Sequence, residues 1–150
     1  MGAVFFYHLT ETPLEATLPM LIGKARGAGW RILVRGHDDT LLGRLDTVLW
    51  QGDGFAPHGI AGGPHDADQP VLLGNRPSDG FECVMSVGGA EISAEEVRTL
   101  ERCCIIFDGH DGAALETARG QWKALTEAGC SAQYWAQESE SWTKKAEKSS

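Results

Sequence analysis

Three stretches of this sequence bring together side chains able to do chemistry. "FDGHD" sets Asp108, His110 and Asp111 within four positions, a set suited to acid/base work or to holding a hard metal ion. It closes an apolar run that reads as a strand, and open α/β sheets place their sites at such strand ends. The same residues also make a turn, with Gly109 at the corner and Asp111 capping the next helix, and that is the preferred reading. "APHGIAGGPHDAD" offers His58, His65, Asp66 and Asp68. Zinc needs a fixed tetrahedral set, which a Gly- and Pro-rich loop does not supply, so no metal site is expected there. The third stretch, "ETARGQWKALTEAG", sets Arg119, Trp122 and Lys123 within five positions.

On a helix with about 100° per residue, Arg119 lies about 60° outside Trp122, and Lys123 about 40° beyond Arg119. Ala114, Leu115, Ala118, Trp122 and Leu125 make the inward stripe, with the indole at its border. Glu116, three residues before Arg119, is placed to quench it as a salt bridge. The periodicity leaves two readings open. One is a core Trp flanked by solvated charges; the other is a cationic-aromatic site for an acidic partner with an apolar tip.

Composition narrows the function classes. The chain has 21 acidic and 13 basic residues among 150, a formal charge of -8. Such a balance disfavours nonspecific nucleic-acid binding, which works by neutralising phosphates. The first strand-to-helix turn, "YHLTETP", has no glycine to admit a pyrophosphate. GxxxxGK[ST] and the GxSxG elbow are both missing from the sequence. The expectation is no cofactor and no catalytic residue. Cys83, Cys103, Cys104 and Cys130 form no CxxC pair and read as buried free thiols of a reducing cytoplasm. No apolar run approaches the ~20 residues of a membrane span, and the first residues do not resemble a signal peptide.

The elements that must position these groups alternate. Strands are predicted at "AVFFYHL", "WRILVRG", "PVLLGN", "FECVMSVGG", "CCIIFDG" and "SAQYWAQ". The first helix is predicted with Thr12 as its N-cap and Pro13 at its first position, kinked or split at Pro19; others are predicted over "HDDTLLGRLDTVLW", "SAEEVRTLE" and "DGAALETARGQWKALTEAG". Ser93 and Glu96 have capping-box spacing. A Gly-rich connection separates Trp50 from Pro70. This pattern predicts an α/β fold, a three-layer Rossmann-like domain with a largely parallel central sheet. The domain is expected to span residues 1–137, with 138–150 a polar tail, frayed or weakly helical.

"RLDTVLW" followed by "FAPHGIAG", and then "ARGQWKALTEAG", resembles the chi subunit family of bacterial DNA polymerase III, from the first strand to about Trp135. The resemblance implies a Rossmann-like fold without nucleotide chemistry and a non-catalytic role in DNA replication. Such a subunit links the clamp-loader assembly to single-stranded DNA-binding protein by holding its acidic C-terminal tail, and pairs with a psi subunit. It also implies a peptide site made of Arg119, Trp122, Lys123, Trp50 and Phe55. This chain departs from the family in carrying Trp rather than Tyr at position 122, and in a shorter Trp50–Phe55 spacing. Two rival readings remain: an α/β enzyme using Asp108, His110 and Asp111, and a direct single-stranded DNA binder stacking bases on Trp50, Trp122 and Trp142 near the "WTKKAEK" lysines.

Overall fold

The computed structural model describes residues 2–51, 58–60, 70–138 and 141–148. The chain runs β1 (Ala3–Leu9), α1 (Leu14–Gly27), β2 (Ile32–Arg35), α2 (Asp39–Gln51), β3 (His58–Ile60), β4 (Val71–Leu73), β5 (Cys83–Ser86), α3 (Ala94–Thr99), β6 (Arg102–Asp108), α4 (Gly112–Glu127), β7 (Ser131–Glu138) and β8 (Ser141–Lys148). The strands form one sheet in the order β3-β4-β2-β5-β6-β1-β7-β8. Every neighbouring pair is parallel except β7 with β8. The expected α/β fold with a largely parallel sheet is the one observed.

Strands β2, β4 and β5 are buried at every position, as apolar strands covered on both faces should be. The path of the chain explains the two layers. From β1 it steps one way along the sheet through α1 and α2; from β5 it steps the other way through α3 and α4. Right-handed crossovers then put the two helix pairs on opposite faces. Leu18, Ile22, Leu42, Leu45 and Leu49 accordingly share one core cluster, while Val97, Leu100, Ala118 and Leu125 share the other. Adjacent Cys104 and Cys103 fall into different clusters, as the two-residue repeat of a strand requires. All four thiols are free and buried.

Four local expectations are corrected. Helix α1 begins one residue later than expected, with Pro13 rather than Thr12 at the N-cap; the Thr12 hydroxyl instead meets that of Thr17 at 2.8 Å. Pro19 does not split the helix, which continues through it as one element, with Leu18, Leu21 and Ile22 buried on either side. The sheet gains a short strand, β3, inside the Gly-rich connection. The segment expected to fray is strand β8, paired antiparallel with β7. Its Trp142 packs edge-on against Tyr7, ring centroids 5.3 Å apart, which anchors a polar strand along an open sheet edge. Lys144, Lys145 and Lys148 suit that position, since edge lysines discourage further pairing.

Helix α3 is fixed to the sheet by charge. The Ser93–Glu96 capping box is formed in full. Glu96 also takes two hydrogen bonds from the buried Arg35 guanidinium, which donates to the Arg76 and Glu91 carbonyls as well. The Arg35 hydrogen bonds are the main reason the Glu96 carboxyl is lowered to about 2.

Candidate functional site

Asp111 caps α4, its carboxylate accepting from the amides of Ala113 and Ala114. The helix then carries its 3.6-residue stripe down onto β6 and β1. Ala118 and Leu125 are buried, Trp122 is half-buried, and Arg119 and Lys123 are exposed. The indole rests edge-on against Phe6 of β1, centroids 5.3 Å apart. It also meets Tyr134 of β7 edge-on, at 6.0 Å. Trp122 is therefore neither sealed in the core nor loose; one part is braced and the rest faces solvent.

Among the described residues, neither Glu116 nor any other carboxylate pairs with Arg119. Its charge is felt by two neighbours: Arg119 helps to lower the pKa of His8 and opposes the rise that burial imposes on Tyr134. Burial is the first cause of the depressed His8 value, followed by His110 and Arg119, with Asp108 acting the other way. The Tyr134 hydroxyl lies 2.9 Å from His8 Nδ1. The arrangement offers cations, a phenol and an indole on one side of α4, able to receive a carboxylate attached to an apolar group.

His8 and Tyr134 were not among the residues singled out from the sequence. The available signal was the two-residue repeat of β1, which puts Val4, Phe6 and His8 on the face that α4 covers. Tyr134 stands opposite Phe6 in the parallel β1–β7 register. That register becomes visible only once the strand order is known.

Trp50 and Phe55 are placed differently. Trp50 closes α2, in the layer across the sheet from α4, so its helix is not brought beside the Arg119–Trp122–Lys123 trio. The Trp50 side chain and all of Phe55 lie outside the described residues.

Asp108, His110 and Asp111 do line a cleft, of about 700 Å³, at the C-terminal ends of β1 and β6. Each is engaged in local structure. Asp111 caps α4, Asp108 accepts from the His110 amide at 2.9 Å, and His110 Nε2 lies 2.8 Å from the Thr10 carbonyl. These are the contacts of a turn. Among the described residues, no three His, Cys, Asp or Glu side chains converge to hold a metal. His65, Asp66 and Asp68 lie outside those residues, as does the side chain of His58.

Residues 1–133 match the family described as DNA polymerase III chi subunit, HolC. The chain belongs to that family. No curated protein sequence matches it. The chi match takes in both layers of the fold and the whole of α4, and it ends inside β7. Strand β8 lies beyond the matched part of this chi-family chain. Membership ties the protein to DNA replication as an accessory subunit of DNA polymerase III. Among the described residues, no helix is long and apolar enough to cross a membrane.

Proposed function

We propose that this chi-family protein is a non-catalytic cytoplasmic adaptor. It binds the acidic C-terminal tail of single-stranded DNA-binding protein and links it to the clamp-loader assembly, in company with a psi subunit or another clamp-loader component. The supporting observation is the exposed Arg119, without a carboxylate partner among the described residues, beside the half-buried Trp122, with Lys123 next on the same helix. In this reading Arg119 receives the tail's terminal carboxylate, Trp122 the last aromatic side chain, and Lys123 an upstream Asp. Trp50 and Phe55 enter only through the likeness to the family, as further contacts.

The magnitudes are consistent with a transient link. A guanidinium–carboxylate bond contributes about 1.5–3 kcal/mol. Removing ~150 Å² of a terminal Phe from water contributes ~4 kcal/mol at ~25 cal/mol per Å². Lys123 adds up to ~1 kcal/mol at an exposed position. Association and ordering offset several kcal/mol, so a weak affinity, no tighter than micromolar, is expected. The net charge of -8 argues against direct DNA binding, while screening over about 8 Å lets a local cationic patch act alone.

Titration calorimetry with an Asp-rich peptide ending in Pro-Phe tests the reading. Binding to the wild type and loss of at least ~1.5 kcal/mol in Arg119→Ala are expected. Equal affinity for the two proteins would remove the site from α4.

A further inference from the structure

The hydrogen-bonded pair His8–Tyr134 stands beside Arg119 and belongs to no function considered so far. Tyr134 is held on three sides: stacked near Phe6 at 6.2 Å, edge-on to Trp122 at 6.0 Å, and tilted against Phe107 at 6.0 Å. Its hydroxyl therefore has little freedom to move. His8 is fixed as well. Its ring packs against Phe107 at 5.1 Å, and its Nε2 lies so close over Gly109 that a Cβ there would come within 1.9 Å of it. Only glycine leaves room for the imidazole at that corner.

One proton decides what this pair offers a ligand. With His8 neutral and its Nδ1 bare, the Tyr134 hydroxyl donates to Nδ1. The phenol then has only oxygen lone pairs left to present, which repel an anion. With His8 protonated, Nδ1–H donates to the phenol oxygen and the hydroxyl proton is free to turn outward. Burial raises the phenol's own pKa, so it remains a donor throughout the physiological range.

We propose that Tyr134, steered by His8, is a second receptor for a peptide's terminal carboxylate beside Arg119, and that binding of this carboxylate is coupled to protonation of His8. The proposal rests on the peptide-binding reading of α4 and adds a specificity-determining pair from β1 and β7 to it. The groups bearing on His8 are His110 and Asp108 from the end of β6 and the turn after it, Arg119 from α4 and Tyr134 from β7. In the free protein the cations oppose a charge on His8. A carboxylate bound between Arg119 and Tyr134 reverses that opposition, so ligand binding takes up a proton and raises the pKa of His8. The sign follows directly. Affinity rises as pH falls toward the pKa of free His8, which lies below the ordinary ~6.5, where the peptide's carboxylates remain ionised.

Titration of the same Asp-rich, Pro-Phe peptide at pH 7.5, 6.5 and 5.5 tests this, with proton uptake counted in buffers of different ionisation enthalpy. The wild type should bind about three- to tenfold tighter at the acid end, taking up on average about a quarter to a half of a proton across that range. That gain should disappear in Tyr134→Phe and in His8→Leu, and with a peptide whose terminal carboxylate is amidated. Because His8→Leu disturbs a packed ring, an NMR titration of His8 in the wild type supplies a second measurement: its pKa should rise on adding the peptide. A gain that persists in Tyr134→Phe, or an unmoved His8 pKa, overturns the coupling. Failure of the wild type to bind at any pH overturns the peptide-binding reading itself, and the coupling with it.

Discussion

Trp122 meets Phe6 edge-on, with ring centroids 5.3 Å apart and planes inclined at 67°. This pair fixes the indole of α4 against β1, so that the part not packed on the sheet is presented to solvent in one orientation. A preorganised aromatic loses less conformational freedom on binding than a free one.

Trp122→Ala should therefore affect both stability and recognition. Truncating a half-buried indole that contacts Phe6 and Tyr134 is expected to cost about 2–3 kcal/mol in urea unfolding, below the range for a fully buried Trp. Peptide affinity should fall at least tenfold by calorimetry. Trp122→Phe should recover most of the stability and part of the affinity. A Trp122→Ala protein that binds the peptide normally would show that the indole is only a core residue.

The charge of the site should be legible in salt. Arg119 and Lys123 are exposed, so their attraction to an acidic peptide is screened over about 10 Å at 0.1 M salt and about 3 Å at 1 M. Raising NaCl from 0.05 to 0.5 M should weaken binding several-fold. Arg119→Lys should weaken it at all salt concentrations, because an ammonium cannot make the paired, planar contact of a guanidinium. Salt-independent affinity would leave the apolar contact as the sole source of binding.

Acid should act through a different pair. The Glu96 carboxyl titrates at about 2 in the folded protein against an ordinary value of 4.5, held down first by its hydrogen bonds from Arg35. A depressed carboxylate contributes stability that is present above ~4.5 and is lost as pH falls toward ~2. The unfolding free energy of the wild type should decline across that window, by an amount of order 2 kcal/mol from this group. Glu96→Gln should be less stable at pH 7 and show a shallower decline. Chemical denaturation at pH 7, 4.5 and 3 reads both, and a wild-type curve flat over that interval would contradict the assignment.

Where single elements determine their own conformation, the sequence was sufficient. The α4 stripe of Ala118, Trp122 and Leu125, the Asp111 cap and the Ser93–Glu96 capping box each lie within a few positions of one another, and the structure contains all of them. Features that need two distant segments were not legible. Arg35 reads as a strand-end charge until Glu96, 61 residues on, folds beside it. Tyr134 and His8 are 126 residues apart, and only the parallel β1–β7 register makes them neighbours. Trp50 and Phe55 are a different case: only the resemblance to the chi family suggested them, and the Trp50 side chain and all of Phe55 lie outside the described residues.

Strand β8 carries the last prediction. "SWTKKAEK" has one large apolar residue, so no periodic signal marked it as a strand; it pairs because β7 offers an open edge and Trp142 has Tyr7 to pack on. Trp142→Ala should lower stability by about 1.5–3 kcal/mol, the scale for withdrawing a partly buried aromatic. Removing residues 139–150 should do more, because it also unpairs the β7 edge. An unprotected strand edge invites pairing with a second chain, so the shortened protein should elute earlier on size exclusion as its concentration rises. Peptide binding at Arg119 should persist in Trp142→Ala, since Trp142 packs on the sheet face opposite α4. A shortened protein that stays as stable as the full chain, and elutes at the same volume at every concentration, would show that β8 neither supports nor shields the sheet.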